Sequence, residues 1–217
     1  MMTDVGIQRA SRRAVDQPLP VAWLGKSAMP RPVPDWAAIP ALSSIQQRNL
    51  AAQLAYALSG WNYDTIGADN QLGMYQFSAG LLEQYGLLVP GSTQAYGTAA
   101  VNYRHCWRST LAAETDYDFL VSSCTDFLDN RIAQDYLAYR VLEDTYTALT
   151  KNTAILGTDS VEIVAGMLAV AWHTGAGARP TVNNPVGTGA YAWRYAGVGT
   201  ADVYYAQGRY SVAVLSR

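Results

Sequence analysis

From Ser43 onward the apolar residues recur at helical spacing. Leu50, Leu54, Ala57 and Leu58 fall three and four apart, one face of a helix. Ser43 or Ser44 can cap its start, Gln47 stands where a capping-box side chain would, and Gly60 ends it. Residues 77–85 read as a second short helix, opened by Gly73-Met74-Tyr75-Gln76-Phe77 and stopped by Gly86. A third helix is predicted from Asp116 or Asp118, carrying Phe119, Leu120, Cys124, Phe127 and Leu128. Asn130 then caps a fourth that runs to about Leu149. Asp159 or Ser160 caps a fifth, 161–173, whose apolar residues surround the axis, the pattern of a central buried helix. Gly175-Ala176-Gly177 stops it, and the Tyr-rich tail 200–214 fits either one helix or a hairpin about Gly208. The pattern predicts a mainly α fold.

Residues 1–42 follow no such period. They hold Pro18, Pro20, Pro30, Pro32, Pro34 and Pro40 among the chain's nine prolines. Proline fixes φ and removes a donor, so an extended, PPII-like arm is expected. Trp23, Leu24, Val33, Trp36 and Ile39 are large apolar anchors, which disordered tails lack. The arm therefore lies either on its own domain or on a partner, with Trp23 and Trp36 as docking residues. If it serves docking alone, deleting residues 1–40 leaves thermal unfolding nearly unchanged. The domain proper is then 43–217.

Composition narrows the function. Only 15% of the 217 residues are charged and half are hydrophobic, against about 25% charged in ordinary globular domains. Lys26 and Lys151 are the only lysines. Few charges, many Tyr and Trp, and Arg over Lys describe a subunit that covers much of its surface with neighbours. A net charge of -2 offers no face for nucleic acid. The longest apolar run, 164–172, is far short of the roughly 20 residues of a membrane span. The first 17 residues lack the apolar centre of a secretory signal, so synthesis in a cytoplasm is expected. Cys106, Cys124, His105 and His173 lack zinc-ligand spacing, and the cysteines read as thiols; no metal or cofactor is expected.

Three segments, taken in order, resemble the lysozyme-like superfamily, in particular the lytic-transglycosylase type found in bacterial enzymes and phage tail or virion proteins. The first is a helix end running into a polar loop, Leu58-Ser59-Gly60-Trp61-Asn62-Tyr63. The second is Gly73-Met74-Tyr75-Gln76-Phe77, and the third is Ala171-Trp172-His173-Thr174-Gly175 at the end of a buried helix. The segments 77–91 and 127–140 also look similar to phage members. The likeness covers about 43–177.

The resemblance implies a cleft that binds peptidoglycan, and a catalytic glutamate at the end of the first helix. Here that place holds Leu58. Protonating a glycosidic oxygen needs a carboxylic acid with a raised pKa. General acid catalysis contributes roughly 10²–10⁴-fold, and leucine has no proton to give. Asp64, Asp69, Glu83 and Glu114 are the carboxylates that could substitute. The first two fit a turn, and Glu83 is expected to face solvent. Ser59, Trp61, Tyr75, Gln76 and His173 are candidate groove residues. Gln76 could equally cap a helix start, Trp172 reads as core, and His173 reads as a cation closing a helix C-terminus. The expectation is a structural component of a phage virion, in tail or baseplate, that contacts other virion subunits through its arm and retains the frame of a peptidoglycan hydrolase without its acid. The rivals are a hydrolase with a relocated acid and a non-catalytic peptidoglycan-binding module.

Overall fold

A computed structural model describes residues 30–108, 121–177, 188–196 and 202–213. They contain α1 (Ser44–Ser59), α2 (Ala79–Gln84), α3 (Ser92–Tyr96), α4 (Cys124–Asp129), α5 (Arg131–Lys151), α6 (Val161–Thr174), α7 (Gly189–Ala196) and α8 (Asp202–Ala213). The β pairing among the described residues consists of isolated bridges, Ile66 with Leu72, Leu72 with Phe77 and Leu88 with Trp107. The protein is mainly helical, as the apolar spacing predicts. No described helix is long and apolar enough to cross a membrane. The chain divides into two compact units, residues 1–54 with 139–217, and residues 55–138.

In the first unit, α6 is buried without a break from Val164 to Ala171. It packs against α8, which settles the tail as a helix. Gly208, a possible turn by sequence, lies close against α6: a Cβ there would stand 2.3 Å from the Ala165 carbonyl oxygen. Ser160 occupies the N-cap position of α6 and accepts from Val164 N at 3.0 Å through its carbonyl, but its side chain makes no capping hydrogen bond. The alternative cap, Asp159, instead takes two hydrogen bonds from Arg194, at 2.6 and 2.8 Å. These bonds hold its carboxyl below the ordinary carboxylate range.

Residues 30–42 belong to this unit's packing. Ala37, Ile39 and Leu42 are buried. Gln47, predicted to serve a capping box, is buried and holds the arm: it accepts from Ile39 N at 3.1 Å and donates to Ala37 O at 2.6 Å. The box at α1 pairs Ser43 with Gln46, because Gln46 lies three residues on, at the N3 position. Arg48 donates to Pro30 O and Tyr139 to Arg31 O. Tyr139 is itself 1% exposed. Removing residues 30–40 would unpair Gln47 and uncover Ile39's site, so the expectation of unchanged unfolding after deletion of 1–40 is overturned. Trp23 lies outside the described residues, and of Trp36 only the backbone is described, in a 3-10 turn at Asp35–Ala37.

The second unit has an aromatic centre. Phe77 meets Phe127 edge-on at 5.8 Å, Tyr75 lies 5.7 Å from Phe77, and Trp107 lies 6.0 Å from Phe127. The indole of Trp107 donates to Val101 O at 2.8 Å, which satisfies its one polar atom. Ser78 caps α2 through Leu81 N, and Asn130 caps α5 through Ala133 N. The helix predicted from Asp116 or Asp118 begins, among the described residues, only at Cys124 with Ser123 as cap; Phe119 and Leu120 lie outside them. Gly73-Met74-Tyr75-Gln76-Phe77 does not open a helix. It is a tight turn closed by reciprocal bonds of 2.9 Å between Leu72 and Phe77.

Candidate functional site

The residues singled out in the second unit come together around the loop that follows α1. Leu58 stands half-buried in the last turn of α1, next to Ser59. The Ser59 hydroxyl is 3.1 Å from Ala55 O and 2.8 Å from Met74 O, and it accepts from Asn62 N at 3.2 Å. It therefore ties the helix end to both sides of the loop. Trp61 is half-buried with φ of +66°, and its ring leans on Tyr56 at 4.7 Å. Gln76, at φ +53°, donates to Gly73 O at 2.8 Å, so it braces its own turn and caps no helix.

Tyr75 corrects the groove assignment. It is fully buried, so its ring is closed to a sugar. Its hydroxyl donates to Asp135 at 3.0 Å, and Tyr63 donates to the same carboxyl at 2.9 and 3.1 Å. Asp135 is 1% exposed. Beside it, Gln134 accepts from Met74 N at 2.8 Å and donates to Tyr63 O, Phe127 O and Leu128 O at 3.2, 3.0 and 3.1 Å. One amide thus joins the loop, α4 and α5. Gly73 makes room for it: a Cβ there would lie 2.1 Å from the Gln134 Oε1.

Gln134 and Asp135 were not singled out by sequence, where a Gln-Asp pair in a helix reads as a solvated face. The signal was register, since Ala138 and Leu142 continue their side of α5 at helical spacing and are buried.

Among the described residues, none of these carboxylates is set up as a proton donor. Both Asp135 oxygens are engaged by phenols in a buried place. Glu83, expected in solvent, caps α3: it accepts from Gly91 N and Thr93 N at 2.5 and 2.7 Å and from the Thr93 hydroxyl. Those bonds, the Thr93 hydroxyl's first, lower its pKa, the opposite of what a general acid needs. Asp64 and Asp69 are exposed. Glu114 lies outside the described residues.

His173, in the first unit, ends α6 with its ring stacked on Tyr204, centroids 3.5 Å apart and planes 16° apart. Its Nε2 is buried without a hydrogen-bond partner. Burial pushes its pKa below the ordinary 6.5, so the predicted cation at the helix end is replaced by a neutral ring. Trp172, expected in the core, is half-buried. The sign of the pH effect follows. The unfolded chain takes up this proton more readily, so stability is constant above pH 6.5 and falls as pH drops through 6.5, levelling off below the folded-state pKa. Melting curves from pH 7.5 to 5 should fall more steeply for the parent than for His173→Phe, which keeps a ring against Tyr204.

No cluster of His, Cys, Asp and Glu able to hold a metal ion occurs among the described residues, and both cysteines are free thiols. Burial raises the pKa of the Cys124 thiol. No protein-family model, curated protein or solved structure matches the chain.

Proposed function

We propose that the protein is a structural component of a phage virion, in the tail or baseplate, built on a lysozyme-like helical domain that has lost its general acid. The observation that carries this reading is Leu58, a hydrocarbon at the position where the resemblance puts the proton donor. The use of the surrounding polar groups supports it. Ser59, Gln76, Gln134, Asp135 and Glu83 all bond within the chain. A loop held in this way serves as a rigid frame.

The low charge content and the preference for Arg over Lys support packing among neighbouring subunits. The docking part of the arm is the stretch before Pro30, with Trp23, together with Trp36, because Ala37, Ile39 and Leu42 are already buried in the chain itself. The direct test is to purify phage particles that encode the chain and quantify it by mass spectrometry across a density gradient. It should co-migrate with the particles at a fixed ratio to the other structural proteins. Recovery only in the soluble lysate would overturn the reading.

A further inference from the structure

The second unit carries an exposed group of rings away from the loop that follows α1. Tyr96 and Tyr103 are each 43% exposed. Their ring centroids lie 4.9 Å apart, and those of Tyr96 and Tyr103 lie 5.4 and 5.7 Å from that of His105. The His105 Nε2 is 3.2 Å from the Tyr96 hydroxyl. The backbone explains the cluster. Gly97–Asn102 is a 3-10 turn whose Ala100 and Val101 are buried, so the residues at its two ends are turned outward together. Trp107, anchored to Val101, fixes the far side.

The same turn carries a polar rim. Asn70 donates to the Thr98 hydroxyl and Asn102 to the Asn70 side-chain oxygen, each at 3.4 Å. These bonds are long, and each amide keeps donors or acceptors to spare. Arg104, between Tyr103 and His105 in the sequence, is close enough to Asp126 to lower that carboxyl's pKa, although Ser122's hydrogen bonds contribute more.

We infer that Tyr96, Tyr103 and His105, with Asn70, Thr98 and Asn102, form a binding surface for a neutral polysaccharide. Three facts select this ligand class. First, the rings hold each other in place before binding, so little rotamer freedom is lost when a flat apolar face settles on them. Second, the rim offers amides and a hydroxyl, the groups that fix the orientation of a polyol through paired hydrogen bonds. Third, the ring centroids stand 4.9, 5.4 and 5.7 Å apart, less than the roughly 7 Å needed to sandwich a ligand between two rings at carbon contact. A ligand therefore meets the outside of the cluster. A pyranose, apolar on its CH face and hydroxylated at its edge, matches both parts.

The surface is independent of the Leu58 site, so it holds or fails separately from the proposed virion role. The test is a titration of the full chain with maltohexaose and cellohexaose, followed through the side-chain NMR signals of His105 and the tyrosines. One of the two should shift His105 and be weakened tenfold or more in Tyr103→Ala, with Leu58→Glu binding as the parent does. A melting curve of Tyr103→Ala close to the parent's shows that the loss is local. Silence with both oligosaccharides would overturn the inference. So would binding that survives in Tyr103→Ala, or a Tyr103→Ala defect confined to capture of a virion subunit.

Discussion

Replacing Asp135 with alanine should destabilise the protein by about 3 kcal/mol. The carboxyl is the acceptor for the Tyr63 and Tyr75 hydroxyls, on residues 5% and 0% exposed. Depriving a buried donor of its acceptor costs about 1–3 kcal/mol, and two are affected; partial relaxation keeps the total below the full sum. Asp135→Asn keeps an acceptor oxygen and should lose roughly half as much. Tyr63→Phe and Tyr75→Phe should each cost about 1 kcal/mol. Combined with Asp135→Ala they should recover part of its cost, since each removes a buried hydroxyl that has lost this acceptor. Urea unfolding of the set measures this cycle. Strict additivity would show that the phenols and the carboxyl do not act as one unit.

Gly73→Ala is expected to cost about 3–4 kcal/mol, from two separate causes. Gly73 has φ of +76°, where a side chain costs about 1–2 kcal/mol. Its Cβ would also stand 2.1 Å from the Gln134 Oε1. Gln134 is fully buried and cannot swing away without breaking its bonds to Met74, Tyr63, Phe127 and Leu128. Losing about two of them accounts for the remainder. Gly80→Ala, on α2 with nothing within 4 Å of the new Cβ, is the control and should be neutral or slightly stabilising. A cost below 1 kcal/mol at Gly73 would mean that the amide is not wedged as described.

Much of the helical layout was legible, for a local reason. Periodic apolar residues and short polar caps act over three or four positions, so Asn130 and the buried run of α6 can be read directly from the sequence. The misreadings involve long-range partners. Gln47 was given a helix-cap role, but its amide reaches eight and ten residues back to Ile39 and Ala37. Tyr75 looked like a groove aromatic because nothing nearby announces Asp135, 60 residues away. His173 looked like a helix-end cation until Tyr204 covered its ring. Gly73 to Phe77 took on helical character from the helix that follows, whereas reciprocal Leu72 and Phe77 bonds fold it into a turn.

The most direct measurement is the soluble muropeptide released when purified bacterial sacculi are incubated with the unaltered protein, with Leu58→Glu run in parallel. The absence of a proton donor at Leu58 predicts no release above buffer from the parent. Any release by Leu58→Glu would show a cleft complete but for its acid. Muropeptides appearing with the parent would contradict the account, since some other carboxyl would then be delivering the proton.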